Sequence, residues 1–296
     1  MTGRTESALA SDLARLLRTV GDQILLPHFG RLGDEAIFSK ATPNDPTDVV
    51  TIADREAEAF LGDHLRALVP GTDVLGEEAA SADSGLFDLL KRDAPVWVID
   101  PLDGTRNYAA GKGPFGTMVA LVERRVVLAG AIFMPLTGDL ITAERGLGVF
   151  HNGEPLTAPP ETGAPLRGTL NTRFLAPDIA AALEANASSI ERVPSVLCAA
   201  HQYTELALGR VDFALYYRLL PWDHAPGSLI VRELGGVMRH PNGREYSITD
   251  EPEPTLLATS KLRYRRALKL LFPDASPESN DGLTPSSGAT ATGSNS

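Results

Sequence analysis

Several carboxylates in this chain follow apolar residues instead of lying in charged runs. The densest string is Trp97-Val-Ile-Asp-Pro-Leu-Asp-Gly-Thr-Arg-Asn-Tyr108. An apolar strand runs into Asp100. Pro101, having no N–H, is expected to end its pairing, and Gly104 permits a tight turn. Asp100 and Asp103 lie three residues apart across that turn, and Thr105 opens what reads as a helical turn. Free N–H groups at such a start favour an anion. Two carboxylates beside an anion repel it, unless hard divalent cations held by oxygen ligands stand between them. An ordinary Asp-Gly turn uses the same residue types.

Three further acids bear on the choice. Glu77 follows Leu75-Gly76, where glycine allows close backbone approach; a solvated acidic loop reads equally well. Asp54 closes Val49-Val-Thr-Ile-Ala-Asp54, and Thr51 with Asp54 has the spacing of a helix capping box. Asp223 follows Pro221-Trp222 and opens a helix closed by Gly235-Gly236, where an ordinary N-cap aspartate reads as well as a site residue. None of these decides the matter alone.

The elements that must position these acids are legible from periodicity. Leu13, Leu16, Leu17, Val20, Ile24 and Leu25 recur at helical spacing within Leu9 to Phe29. Gly30 to Asp48 reads as a short strand and a mobile loop, Asp54 to Leu68 as a second helix stopped by Pro70-Gly71. Val96 to Ile99 is a buried strand, and short β segments fill Thr117 to Phe150, ending at the turn pair Asn152-Gly153. Beyond Leu156, strands are expected at Ser195–Ala199, Val211–Tyr216, Gly236–His240 and Thr255–Thr259. Helices are expected at Ala176–Ala187, His201–Leu208, Asp223–Leu234 and Lys261–Leu271. The chain therefore divides into an N-terminal α+β half (1–155) carrying most of the acids, a C-terminal α/β half (156–273) and a tail (274–296). The tail is too poor in apolar residues to offset its ordering entropy.

Composition narrows the partners. The 296 residues, 43% hydrophobic, can bury a substantial core. A net charge of −11 disfavours nucleic acid and anionic membrane as partners. A small phosphorylated substrate is also an anion; for it to bind, something local must invert the field, and a divalent cation is the simplest candidate. The single cysteine, Cys198, excludes an internal disulfide and suits a reducing compartment. Met1 to Ser11 lacks a signal-peptide pattern, and no stretch approaches ~18 apolar residues. A cytoplasmic protein, working as a homodimer, is expected.

In combination the strings resemble the inositol monophosphatase family. Val49-Val-Thr-Ile-Ala-Asp54, Gly76-Glu-Glu78, Trp97 to Thr105, and Pro221-Trp-Asp-His-Ala-Pro-Gly-Ser-Leu-Ile-Val-Arg-Glu-Leu-Gly-Gly236 occur in the family's order and approximate spacing, from about Leu13 to Leu271. The resemblance implies an α/β (α+β) fold layered α/β/α/β/α. It also implies magnesium-dependent, lithium-sensitive hydrolysis of a phosphate monoester, with about two or three Mg2+ per site. By the same resemblance Glu77, Asp100 and the Leu102 carbonyl hold one cation, and Asp100, Asp103 and Asp223 a second. Asp54, near Glu77, acts on a further one through water. Asp54, Thr105 and Glu77 are the expected catalytic residues, with Thr105 and Asp54 orienting and deprotonating the attacking water. The N–H groups of Gly104 and Thr105, beside Asp103, are expected to hold the phosphate. Lys40 falls where the family has a basic residue on a loop near the metals, and a solvated lysine reads equally well there.

The departures fall in the substrate pocket. Inositol-specific members carry a glutamate seven residues before the Pro-Trp-Asp aspartate; here that position is Tyr216. Leu197-Cys198-Ala199 replaces the family's glycine-threonine pair. Tyr216, Arg218 or His201 is expected to meet a different leaving group, and Arg106 is a further candidate for pocket electrostatics. Cys198 reads as a small core residue, and neither His201 nor His224 as catalytic. Histidinol phosphate, a sugar bisphosphate or a nucleotide 3′-phosphate remain alternative substrates. A non-catalytic regulatory binding protein on the same fold is the alternative of another class.

Overall fold

The amphipathic repeat around Leu13, Leu17 and Val20 folds as α1 (Ala8–Val20), with the Ser7 hydroxyl accepting from the Ala10 N–H. It continues through a π turn (Gly21–Leu25) into α2 (Leu26–His28). The computed structural model describes residues 5–40, 45–161 and 164–275. Residues 41–44 of the expected loop, and the expected tail from 276 on, lie outside them.

A short ribbon, β1 (Ile37–Ser39) with β2 (Val49–Thr51), leads into α3 (Ile52–Leu68). There follow β3 (Asp73–Gly76), α4 (Glu77–Ala82), β4 (Val96–Asp103) and α5 (Thr105–Ala109). A meander completes the half: β5 (Gly116–Glu123), β6 (Val126–Met134), β7 (Asp139–Glu144), β8 (Gly148–His151) and β9 (Glu154–Leu156). Strands β3 to β9 form one seven-stranded sheet in sequence order, parallel between β3 and β4 and antiparallel from there on. Asn152 and Gly153, both at positive φ, make the tight turn from β8 to β9.

The second half supplies β10 (Arg167–Leu170), α6 (Pro177–Asn186), β11 (Glu191–Arg192), α7 (Ala199–Ala207) and β12 (Phe213–Tyr216). It ends with α8 (Pro221–Glu233), β13 (Val237–Arg239), β14 (Thr255–Ala258) and α9 (Lys261–Leu271). Its five-stranded sheet runs β11-β10-β12-β14-β13, with β10 and β12 parallel.

Period-two alternation explains the stacking. On β4, Trp97 and Ile99 face Leu13, Leu17, Ala57 and Leu61 of α1 and α3, whereas Val96 and Val98 face Trp222 and Ala225 of α8. On β12, Ala214 and Tyr216 join Tyr203 of α7 and Leu229 of α8, whereas Phe213 and Leu215 face Leu183 of α6 and Leu268 of α9. The order is thus α1/α3, large sheet, α7/α8, small sheet, α6/α9, the expected α/β/α/β/α layering. Each buried Leu, Ile or Phe contributes about 1.5–3 kcal/mol to holding the layers together.

Local expectations differ in four places. Pro101 does not end β4: the strand resumes pairing with β5 at Asp103 after a bulge that absorbs the missing N–H. Asp223 is not the N-cap of α8; Leu220 is, Pro221 occupies the first turn, and Asp223 projects from that turn. No strand forms at Ser195–Ala199. Pro194 has no N–H to donate, Leu197 turns through φ +53°, and the Val196 carbonyl is taken by Asn107 Nδ2 at 2.9 Å. Strands β2, β3, β9, β10 and β11, too short to show a period, have no counterpart among the expected elements.

Candidate active site

The two sheets bring the carboxyl ends of two parallel pairs together. Strands β3 and β4 end at Gly76 and Asp103, and β10 and β12 end at Leu170 and Tyr216. Residues at or just beyond all four ends line one cavity of about 340 Å³. Ligands favour such positions because side chains and loops there are free of the sheet ladder.

At the end of β4 the bulge turns Asp100, buried to 1% exposure, and Asp103 toward this cavity. The Asp100 Oδ1 accepts from the Leu102 N–H at 3.1 Å, and Asp103 Oδ2 from the Ala200 N–H at 2.6 Å, pinning the turn to α7. Gly104 follows at φ +85°, where a Cβ would stand 2.9 Å from the Pro114 carbonyl oxygen, so only glycine fits. Thr105 then opens α5.

Asp54 sits in the first turn of α3, and its two oxygens do different work. Oδ2 completes the capping box, accepting from the Thr51 N–H at 2.7 Å and hydroxyl at 2.6 Å. Oδ1 lies 3.0 Å from the Thr105 hydroxyl, which is also 2.8 Å from the Leu102 carbonyl. One hydroxyl proton thus faces two acceptors. Glu77 begins α4, whose orphan N–H groups at Glu78 and Ala79 donate to Glu58 at 2.7 and 2.9 Å. Lys40 Nζ contacts Glu77 at 2.7 Å and Glu78 at 2.8 Å. It is therefore a paired residue of the site, not a solvated loop lysine.

Burial dominates the electrostatics. It pushes Asp54 up to about 7. Burial, then the Asp223 charge, pushes Asp103 to about 7. Asp100 is raised further, by burial and by Glu77, Asp103 and Asp223. Asp223 is raised by burial, with Arg218 and Lys40 offsetting part of it. Burial and Glu77 carry Glu78 to about 8. Burial opposes the charge on Lys40, yet Glu77 and Glu78 outweigh it and hold its pKa above the usual lysine range. A protein builds such mutual repulsion into one cavity only at some cost, which a bound cation relieves.

Among the described residues, no three acid, imidazole or thiol groups already stand as a formed cation site. The donor set nevertheless fits one. The acids that line the cavity are carboxylates, and Leu102, whose carbonyl reaches the Thr105 hydroxyl, lines it with them; carboxylate and carbonyl oxygens are hard donors suited to Mg2+, Ca2+ or Mn2+.

The opposite wall carries the departures. Tyr216 is buried with its hydroxyl unpartnered, stacked on Tyr203 with ring centroids 5.9 Å apart. His224 is pushed down to about 4 by burial and is neutral at pH 7; it meets the Tyr203 hydroxyl through Nδ1 and the Arg218 carbonyl through Nε2. That is a positioning role for the Arg218 backbone. Cys198 is buried core that also lines the cavity. His201 does not line it, so the expectation that it meets the leaving group has no geometric support. Arg106 and Arg218 line the cavity together with Arg173, and all three approach Asp45.

Three residues escaped the sequence. Glu58 lies four positions after Asp54, on the same helix face, and that spacing could have found it. Arg173 follows β10, and Asp45 lies in a loop without period.

Comparison with known proteins agrees with this geometry. Residues 13–274 match the family model described as the inositol monophosphatase family. A Thermotoga maritima protein named fructose-1,6-bisphosphatase/inositol-1-monophosphatase is 32% identical over 232 residues, 78% of this chain and 84% of that protein. The Nus factor SuhB of Xylella fastidiosa is 30% identical over 87% of this chain and 91% of its own length. The solved structure of a Thermotoga maritima IMPase superposes with a TM-score of 0.73 at 28% identity, covering 88% of this chain and 95% of that one. With residues 13–274 matched to the family model, the fold shared with a solved relative and the acids gathered at the strand ends, the chain belongs to the inositol monophosphatase family, a family of phosphoric monoester hydrolases.

Proposed function

We propose that this chain hydrolyses a small polyol or sugar phosphate with magnesium as its cation, about two or three ions per site. The observation that carries the reading is the gathering of Glu77, Asp100, Asp103 and Asp223 around one cavity beside the Asp54–Thr105 contact. Glu77, Asp100 and the Leu102 carbonyl would hold one ion, Asp100, Asp103 and Asp223 a second, and Asp54 with Glu77 a third through water. The cations would supply a hydroxide near neutral pH and neutralise charge on the transferred phosphoryl group.

The chain's own residues do the rest. The Thr105 hydroxyl would donate its one proton to Asp54 Oδ1, a carboxylate being a stronger acceptor than the Leu102 carbonyl. The Thr105 oxygen would then be free to accept from the attacking water, whose proton passes to Asp54. Gly104 and Thr105 N–H groups would hold phosphate oxygens. The 1–155 half would thus carry most of the chemistry, joined by Asp223 from the 156–273 half, whose Asn171, Arg173, Tyr216 and Arg218 would meet the leaving group.

The non-catalytic alternative is not favoured, since a contact protein has no need of a full set of mutually repelling acids. Phosphate release from a panel of small monoesters, with magnesium and with chelator, tests the reading. Release independent of divalent cation, or none from any ester, would refute it. A homodimer in the cytoplasm is part of the proposal, to be checked by sedimentation and cell fractionation. It draws on the family resemblance and on the lone Cys198. No helix among the described residues is long and apolar enough to cross a membrane.

A further inference from the structure

Asp45 is only 1% exposed, and three guanidiniums converge on it. Arg106 Nη2 stands 2.8 Å away, Arg173 Nη2 2.9 Å and Arg218 Nη1 3.8 Å. Arg106 and Arg173 also donate to the Thr47 hydroxyl, at 2.8 and 3.1 Å. The arginines come from three places: α5, the segment after β10 and the segment after β12. All three line the cavity that holds the acids.

One carboxylate balances one guanidinium. Holding three leaves surplus positive charge, in a chain whose net charge is −11. Asp48 and Asp223, which share the cavity and interact with Arg218, offset part of this, but the three guanidiniums still converge on the single carboxylate of Asp45. The surplus is not dispersed into bulk water. Each arginine side chain is about one-third exposed, at 29%, 32% and 35%. Phe174 braces two of them, with the Arg173 and Arg218 guanidinium carbons 5.3 and 4.7 Å from its ring centroid. Rigid guanidiniums with donors to spare are suited to an oxyanion, and their ordering is already paid for by Asp45.

Resting on the phosphatase reading above, we propose that Arg106, Arg173 and Arg218 form a second anion subsite, anchored by Asp45, which takes a phosphate or carboxylate carried by the leaving group. The substrate is then a monoester with two anionic ends: one faces Asp100, Asp103 and Thr105, the other the arginines. The oxyanion replaces water on the guanidinium N–H groups, while Asp45 keeps them aligned.

Glucose 1-phosphate, glucuronic acid 1-phosphate and glucose 1,6-bisphosphate share one scaffold and differ at carbon 6, which carries a hydroxyl, a carboxylate or a phosphate. Two measurements on the full chain separate this subsite from the hydrolytic reading: kcat/KM with magnesium, and calorimetric binding in chelator, where no turnover is expected. One or both doubly anionic esters should exceed glucose 1-phosphate by roughly tenfold or more in both, and which does so identifies the second anion. Arg173→Gln and, separately, Arg218→Gln should bring that ratio toward one, with melting temperatures reporting that each variant is folded. A preference that persists in both folded variants would overturn the subsite, as would wild type that treats the three esters alike while still hydrolysing glucose 1-phosphate. A preference in chelator that both variants lose would uphold the subsite even if no ester is hydrolysed, in which case the hydrolytic reading alone fails.

Discussion

The Thr105 hydroxyl and Asp54 Oδ1 stand 3.0 Å apart, joining the turn after β4 to the first turn of α3. Thr105→Val keeps the shape and removes the hydroxyl. Because positioned proton transfer contributes roughly 10²–10⁴-fold, kcat should fall by about 10²-fold or more. The melting temperature should change little, since the capping box uses the other Asp54 oxygen. A variant with wild-type kcat would remove Thr105 from the mechanism.

Metal-free stability should fall as pH rises. Folded Asp54 and Asp103 hold protons up to about 7, whereas an unfolded aspartate releases its proton near ~3.9. Between those values the folded state binds more protons, so the slope of stability against pH is negative. In chelator, the protein should melt several degrees lower at pH 8 than at pH 5, after correction for other titrating groups by the Asp54→Asn and Asp103→Asn variants. Magnesium should raise the melting temperature more at pH 8, because it competes with those protons. Equal magnesium shifts at both pH values would mean that these acids do not meet the cation.

Asp100→Asn replaces a carboxyl whose charged form is opposed first by burial and then by Glu77, Asp103 and Asp223. Hydrolysis should drop by roughly 10²-fold or more, about 3 kcal/mol in barrier terms. The same variant in chelator should be at least as stable as wild type at pH 8, and its melting temperature should respond less to magnesium. Near-normal turnover in the folded variant would exclude Asp100 as a ligand.

Specificity is tested at Tyr216. Its buried, unpartnered hydroxyl stands where the family resemblance implies a glutamate in inositol-specific members. A charged acceptor contributes about 1 kcal/mol more than a neutral one, or roughly fivefold. Tyr216→Glu should raise kcat/KM for inositol monophosphate relative to the best substrate by about that factor. Wild type that already prefers inositol monophosphate over every other small phosphate would refute the role given to Tyr216.

What the sequence disclosed follows from range. Asp100, Asp103 and Thr105 lie within six residues, so strand, turn and helix start could be read almost directly, whereas the bulge at Pro101 could not. The capping box of Thr51 and Asp54 was equally local. Glu77 could be placed only by family likeness, because its position depends on Glu58 holding α4 and on Lys40 reaching across from another segment. Asp45 and Arg173 were illegible because 128 positions separate them and neither lies in a periodic element. A strand as short as β10 carries too few side chains to show alternation, so the residues at its carboxyl end went unplaced.

The layer formed by α7 and α8 has a mechanical consequence. It is the inner cover of both sheets, so without it each sheet keeps only its outer cover, α1/α3 for the large one and α6/α9 for the small one. Cutting the chain near residue 155 would strip the large sheet of one cover and leave the small sheet with helices that have lost their other floor. The molecule should therefore melt in one cooperative step and refold poorly from separate fragments. The wall bearing Tyr216 and Arg218 is bolted to the floor bearing Asp100 through a common wedge, and the spacing across the cavity becomes a property of the whole molecule, not of a hinge.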